Sequence, residues 1–118
     1  MHEPTQRPDI LQVSLVPCPP CLCLHLRGEL DLCSAEEMPR DSYSSRPDLT
    51  TVLVDLRELT FCDVAGLTAL LAFSRIHEAQ GRSVAVVRAT PLMRRLMRLC
   101  GISDRLAPVI PVSTSALV

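Results

Sequence analysis

The amino-acid sequence predicts a single α/β domain built on a mixed β-sheet. Segments with the short apolar repeat of strands alternate with segments that have the longer repeat of helices, which is typical of parallel strands joined by right-handed crossovers. The first two strand segments are separated only by the proline-rich stretch 17–20, which favours antiparallel pairing. A chain of 118 residues can bury one core without disulfides, and scarce aromatic residues leave that core to Leu, Val, Ala and Ile.

The chain begins with strands. Residues 1–9 are polar and include two prolines, so we expect a flexible lead-in. Residues 10–16 alternate apolar and polar side chains loosely, which predicts a first strand. Residues 21–30 place alternate leucines on one face and polar or cysteine side chains on the other. This pattern predicts a half-buried second strand.

The segment after the second strand is the least regular. Ser34 and Glu37 have the spacing of a capping box, which marks the start of a helix. Pro39 follows soon afterwards, and a proline inside a helix costs about 3 kcal/mol. We therefore predict a helix that is short, kinked or restarted at Pro39, followed by a poorly anchored polar run over residues 40–48.

The second half of the chain alternates regularly. Residues 50–56 form a β-branched, nearly continuous apolar run, which predicts a central strand covered on both faces. Residues 66–80 carry a broad apolar stripe that ends at a glycine and predicts a helix. A strand is expected over 83–88, a compact helix over 90–101 and a short edge strand over 106–112.

Charge and hydropathy exclude several classes of function. The net charge is −1 and all twelve basic residues are arginine, so electrostatics favour neither nucleic acid nor an anionic membrane as the main partner. No stretch approaches the roughly 20 apolar residues of a membrane span, and the N-terminus lacks the apolar core of a signal peptide. We expect a cytoplasmic protein without direct membrane insertion, whose six cysteines are buried thiols in a reducing compartment.

A polar hinge joins the third strand to the long helix, in the sequence FCDVAGLTALL over residues 61–71. The first N–H groups of a helix are unpaired and its dipole favours negative charge, so this junction could hold an anion. Asp63 has the position of an N-cap. Val64 and Ala65, however, carry nothing that could become an anion.

Three blocks of sequence, GELDL (28–32), VLVDLRELTFCDVAGL (52–67) and ATPLMRRLMRLCGISDRLAPV (89–109), resemble the STAS domain of bacterial anti-sigma factor antagonists. The resemblance spans 10–112 and leaves 113–118 as a C-terminal tail. It implies a sheet of four to five strands with helices packed mainly on one face. It also implies binding to an anti-sigma factor that is a protein kinase of the histidine-kinase ATPase type. This binding would release a sigma factor for transcription.

The resemblance assigns a role to the hinge. Typical members read Asp-Ser-Ser-Gly or Asp-Ser-Thr-Gly there, and the third residue is the phosphoacceptor. Here that position is Ala65, so the chain resembles a permanently unmodified antagonist with no catalytic residue and no cofactor. The predicted partner-binding residues are Glu29, Asp31, Asp63, Val64, Ala65, Gly66 and Leu67. Simple capping by Asp63, and solvated charges at Glu29 and Asp31, are the structural alternatives.

Several functional alternatives stay open. A STAS subunit that regulates a membrane transporter or a signalling scaffold would use the same surface, and a small-ligand or nucleotide binder is a third reading. Thr68 is the nearest hydroxyl and is either a substitute phosphoacceptor or a partner of a backbone carbonyl. Cys62 and Cys100 are a candidate redox pair if their Cα atoms lie within about 7 Å. The weak first helix could expose an apolar strip that a second copy covers in a homodimer.

Two further clusters have competing explanations. Cys18, Cys21 and Cys23 could supply thiolates to a metal, but zinc needs another ligand pair and the pattern fits a turn that enters a strand. We therefore expect no metal. The last helix carries three arginines on a face opposite three leucines, which indicates a solvated face or a docking patch for an acidic partner. The arginines are Arg94, Arg95 and Arg98, and the leucines are Leu92, Leu96 and Leu99.

Overall fold

The computed structural model describes residues 10–40 and 43–101. Its elements are β1 (Gln12–Cys18), β2 (Cys21–Leu30), a 3₁₀ turn (Ala35–Glu37), β3 (Thr51–Cys62), α1 (Val64–Ala79), β4 (Ser83–Ala89) and α2 (Pro91–Leu99). The sheet has the order β1-β2-β3-β4, with β1 antiparallel to β2 and the other pairs parallel. The predicted mixed sheet is confirmed. The predicted lead-in, last strand and tail lie outside the described residues.

One face of the sheet carries the core. Alternate residues of β2, β3 and β4 point into it, and both helices pack against that face, as predicted. Burying each large apolar side chain contributes roughly 1.5–3 kcal/mol. The largest contributors are Leu22, Leu24 and Leu26 of β2, Val52, Val54 and Leu56 of β3, Leu67, Leu70 and Phe73 of α1, and Met93 and Met97 of α2.

The third strand differs from its prediction in length and environment. It runs to Cys62 rather than to residue 56, because its second half pairs with the end of β2 after register shifts on either side of Arg27 and Gly28. These shifts break the apolar alternation from which strands are read. Residues 51–56 alternate between buried and half-buried side chains, so the expected cover on both faces is wrong.

The predicted helix around Ser34 is reduced to one 3₁₀ turn. It ends at Met38, whose extended backbone (ψ 135°) suits the residue before Pro39. The capping box is wrong: Ser34 has near-helical backbone angles instead of the extended ones of an N-cap, and its side chain makes no capping bond. Its hydroxyl donates to the carbonyl of Glu29 at 2.7 Å and accepts from the N–H of Asp31 at 2.9 Å.

The short 3₁₀ turn leaves a groove against α1. The groove encloses about 400 Å³. Its apolar lining includes Ala35, Met38, Ala69, Ala72, Phe73 and Ile76. An incompletely covered apolar strip, as expected from the proline-interrupted segment, is therefore present.

A buried arginine fixes the loop that precedes β3. Nε of Arg82 donates to the carbonyl of Leu49 at 2.7 Å, and its guanidinium also donates to the carbonyls of Tyr43 and Arg46. Nη1 of Arg82 lies 2.9 Å from Nδ1 of His77. Since an arginine is always a donor, that histidine nitrogen is the acceptor and the ring is neutral. Arg82 thus joins the end of α1 to the loop before β3.

Candidate functional site

The hinge lies at the edge of the sheet where its parallel strands end. The segments that follow β2 and β3, and the start of α2 after β4, meet at this edge because parallel strands share one direction. Loop 31–34, the hinge 63–66 and the start of α2 are thereby brought together. The predicted proximity of the Asp31 loop to the hinge is correct.

Asp63 is an N-cap that also ties the two loops together. Its Oδ1 accepts from the N–H of Gly66 at 2.8 Å, as a capping residue does. Its Oδ2 accepts from the N–H of Leu32 at 3.3 Å, and its own N–H donates to the carbonyl of Leu30 at 3.3 Å. The predicted cap is confirmed, and the carboxylate also fixes the loop after β2.

Asp31 folds its own loop. Its Oδ1 accepts from the N–H groups of Cys33 and Ser34, each at 3.0 Å, and lies 3.2 Å from the hydroxyl oxygen of Ser34. This oxygen is an internal acceptor rather than a simply solvated charge. The resemblance implies that Glu29 lies with Asp31 in the loop after the second strand. Instead it lies inside β2, where it pairs with Phe61 and is half-buried. β2 itself ends at Leu30, as the strand predicted over 21–30 does.

Gly66 and Leu67 face the interior. A Cβ added to Gly66 would lie 2.1 Å from the carbonyl oxygen of Leu30, so a hydrogen atom at this position permits the close approach of β2 to α1. Leu67 is only 1% exposed and packs in the core. The expectation that these two residues belong to the exposed binding surface is therefore corrected, because helical geometry turns positions 66 and 67 towards the sheet.

Val64, Ala65 and Thr68 occupy the outer side of the helix start. Val64 is exposed and Ala65 is half-buried. Thr68 is exposed, and its hydroxyl donates to the carbonyl of Val64 at 2.8 Å. This is the backbone-bonded alternative for Thr68.

An apolar rim surrounds the hinge, and the sequence analysis did not identify it as a set. Four of the six exposed large hydrophobic side chains among the described residues lie on the segments that meet here. This apolar rim consists of Leu32 (74% exposed), Phe61 (46%), Val64 (64%) and Leu92 (62%). The signal available in the sequence was an apolar residue within three positions of the end of each of the three parallel strands.

A pocket adjoins the rim between the end of β3 and α2. It encloses about 170 Å³. It is lined by Leu59, Phe61, Cys62, Leu92, Met93 and Leu96, together with Thr60. An apolar side chain from another molecule would fit such a concave space better than a charged one.

Cys62 and Cys100 are both free thiols, of which Cys62 is buried and Cys100 is exposed. Cys18 and Cys33 are also exposed, so the expectation of buried thiols is wrong for these three residues. Burial, and then the nearby carboxylate of Asp63, raise the pKa of the Cys62 thiol to about 12, with a smaller contribution from Cys100. A thiol with this pKa is almost entirely protonated at neutral pH, whereas disulfide exchange requires the thiolate. The redox pair stays a prediction that this environment disfavours.

The last helix, α2, is rotated about its own axis by about one residue position from its predicted orientation. Met93 and Met97 are buried, whereas Leu92 and Leu99 are exposed and Leu96 is half-buried. The expectation that all three leucines lie opposite an outer arginine face is wrong. Two apolar rows, at 92/96/99 and at 93/97, lie about 100° apart, so the helical period alone cannot select between them.

The cysteine-rich turn begins β2 as expected. Cys18 of β1 and Cys21 of β2 are opposite each other in the strand register, and Cys23 lies two residues further on. Burial raises the pKa of the Cys23 thiol, and the neighbouring Cys18 raises it further.

Across residues 10–40 and 43–101 no group of three or more potential ligands could hold a metal ion. In the same part of the chain, no helix has the length and apolar character of a membrane span.

The fold and the hinge define a small α/β domain that presents a capped helix start and an apolar rim at one edge of a mixed sheet. Residues 19–111 match the family described as Mlab, STAS domain. The chain belongs to the STAS domain family.

Solved structures share this fold. The Bacillus anti-sigma factor antagonist SpoIIAA, solved in unphosphorylated and phosphorylated forms, is 21% identical, with TM-scores of 0.62 and 0.61; 91% of this chain and 92% and 96% of those chains are covered. An anti-sigma factor antagonist from Mycobacterium paratuberculosis is 20% identical, with a TM-score of 0.69 and 96% of both chains covered. The murine anion transporter Slc26a9 is 16% identical, with a TM-score of 0.69 over 85% of this chain and 17% of the transporter.

Proposed function

We propose that this chain is an anti-sigma factor antagonist whose hinge surface binds an anti-sigma factor of the histidine-kinase ATPase type and so releases a sigma factor. It acts in the bacterial cytoplasm as a binding module in transcription regulation, not as an enzyme. The observation that carries the proposal is the apolar rim around the capped helix start. Four exposed apolar side chains at one edge are typical of a protein interface.

Unlike an antagonist that is phosphorylated at the hinge, this antagonist is not switched by phosphorylation there. A phosphate at the third hinge position would add about −1.5 to −2 charge units to the binding surface. Ala65 has no hydroxyl, and the hydroxyl of Thr68 is held by the carbonyl of Val64. Binding to the anti-sigma factor is therefore constitutive with respect to ATP.

The proposed binding surface differs from the set of residues predicted from the sequence. Val64 and Ala65 contact the partner directly, with Leu32, Phe61 and Leu92 of the apolar rim. Asp31 and Asp63 act indirectly, because their carboxylates hold the two loops in place. Gly66, which has no side chain, lets the helix start lie close to Leu30, and the buried side chain of Leu67 supports the hinge from inside.

The test uses purified wild-type chain and each histidine-kinase-type ATPase anti-sigma factor of the source genome. Calorimetry should detect a complex with one of them, equally after incubation with ADP or with ATP, and mass spectrometry should find no phosphate. The variant Ala65→Ser supplies the hydroxyl and should become phosphorylated and dissociate in ATP. Absence of any complex, or phosphate on Thr68 with loss of binding, contradicts the proposal.

The second candidate is a STAS subunit that regulates a membrane transporter or a signalling scaffold. A part of the anion transporter Slc26a9 shares the fold of this chain, which favours this candidate. A homodimer through the groove beside the 3₁₀ turn is compatible with both candidates. Affinity capture from the native cell separates them, because one recovers an ATPase-fold kinase and the other recovers a transporter component.

A further inference from the structure

The outer face of α2 combines positive charge with exposed apolar side chains. Arg94, Arg95 and Arg98 are exposed, and none of them forms an ion pair with another described residue. Residues 79–101 contain no acidic side chain, so no carboxylate in this part of the sequence offsets the charge. Arginine is enriched in protein interfaces relative to the rest of the protein surface, where it forms ion pairs with the partner.

The apolar part of this face is a stripe that leads to the pocket. Leu92, Leu96 and Leu99 follow a helical spacing of four and three residues, and Leu92 and Leu96 also line the pocket of about 170 Å³. Leu99 is 72% exposed. Phe61 connects the stripe to the apolar rim, since it borders the same pocket.

We propose that this face docks an acidic amphipathic helix of a partner protein, with one of its apolar side chains in the pocket. Aspartate or glutamate side chains of that helix would pair with the three arginines, and its apolar side chains would cover the leucine stripe. The inference rests on the proposed function only in that the same anti-sigma factor would span the rim and α2. The docking chemistry itself depends on the residues of α2.

Other occupants fit the face less well. A second copy that used the same face would bring arginines against arginines, which is unfavourable for like charges. An anionic membrane would attract the charge, but a concave apolar pocket receives a projecting side chain rather than a lipid surface. Charge and shape together therefore select an acidic protein segment.

The probe is a fluorescent synthetic peptide of about 15–20 residues, a length at which an isolated helix becomes stable. It carries leucines at helical spacing and glutamates elsewhere, and a matched peptide carries lysines instead. In fluorescence anisotropy we expect only the acidic peptide, and not the lysine peptide, to bind the wild-type chain. Its binding should weaken as salt is added. Binding should fall at least about tenfold when Arg94, Arg95 and Arg98 are all changed to Glu.

Matched variants make the result specific. Leu92→Ser should also weaken binding, whereas Arg75→Glu on the exposed side of α1 should not. Arg95→Glu alone tests the charge should the triple variant fold poorly, as judged by circular dichroism. Equal binding of both peptides, no binding of the acidic peptide, or a loss with Arg75→Glu equal to that of the triple variant overturns the proposal.

Phosphatidylglycerol vesicles test the membrane alternative. Co-sedimentation of the wild-type chain, lost in the triple variant, together with no peptide binding, would assign the face to lipid and overturn the inference. If the acidic peptide binds while no anti-sigma factor does, the docking chemistry holds and the proposed function fails. The two conclusions are thus separable.

Discussion

The backbone N–H of Leu32 donates to Oδ2 of Asp63 over 3.3 Å, and this bond joins the loop after β2 to the start of α1. Oδ1 of the same carboxylate accepts from the N–H of Gly66 at 2.8 Å. One side chain therefore holds two of the segments that carry the apolar rim, those with Leu32 and Val64. The exposed side chains of Leu32 and Val64 keep their positions because of it.

Replacing Asp63 by Ala should lower the free energy of unfolding by about 1–2 kcal/mol, since the helix cap and the bond from Leu32 are both lost. Asp63→Asn should recover most of the loss, because the amide oxygen of Asn caps a helix about as well as a carboxylate. Urea denaturation of the three proteins measures the difference. Equal losses for the Ala and Asn variants would show that the cap is not what the carboxylate contributes.

Gly66→Ala should be among the most damaging small substitutions in the chain. The new Cβ would meet the Leu30 carbonyl at 2.1 Å, so β2 and α1 must separate, and overpacking of this kind costs about 1–3 kcal/mol or more. Gly81→Ala is the control: its φ is +89° but no atom lies within 4 Å of the added Cβ. That variant should lose only about 1 kcal/mol, from backbone strain. Thermal unfolding that ranks the two in the opposite order would refute the contact argument.

Arg82→Met should destabilise the domain by about 3 kcal/mol. The methionine keeps much of the buried volume but leaves the carbonyls of Tyr43, Arg46 and Leu49 without their donor. Arg75→Met, at an exposed position of α1, should change the free energy of unfolding by no more than about 0.5 kcal/mol. Chemical denaturation of both variants makes the comparison.

Regular periodicity was sufficient to predict most of the fold. The strands, α1 and α2, and the mixed pairing follow from apolar spacing, from the glycine after α1 and from the short turn between β1 and β2. The second half of β3 could not be predicted, because bulges near Gly28 shift the register and no local propensity encodes them. The 3₁₀ turn is where a capping pattern and Pro39 compete, and the proline prevails.

The positions of the site residues along the fold were predicted better than the directions in which their side chains point. The Asp63 cap and the proximity of its loop to Asp31 are found in the structure, since strand direction alone brings them together. The burial of Leu67 and the outward turn of Leu92 depend on how each helix rotates against the sheet. Tertiary packing determines that rotation, and two apolar rows one residue apart leave it undetermined in the sequence.

Cys62 should make the fold sensitive to alkaline pH. Its pKa is raised from the ordinary value of 9.0 to about 12 in the folded state, so the folded chain retains the proton that the unfolded chain loses. The associated stability is complete below about pH 9 and is lost as the pH rises towards about 12, by at most about 1.4 kcal/mol per pH unit. Denaturation of the wild type and Cys62→Ala across this range should show a smaller pH slope in the variant. Cys33→Ala, at an exposed thiol, should keep the wild-type slope.

Ala65→Asp should separate stability from binding. A carboxylate in the first turn of α1 interacts favourably with the helix dipole, so the free energy of unfolding should stay constant or rise by about 0.3–1 kcal/mol. The same charge in the middle of the apolar rim should weaken binding to the anti-sigma factor by at least about tenfold, as a phosphate would.

Ala79→Asp is the matched control, because it places the same group at the exposed C-terminal end of α1. There the dipole makes the carboxylate unfavourable by a similar amount, while binding should be unchanged. Denaturation and calorimetry on both variants test the pair, and tight binding by Ala65→Asp would mean that the partner does not contact the hinge.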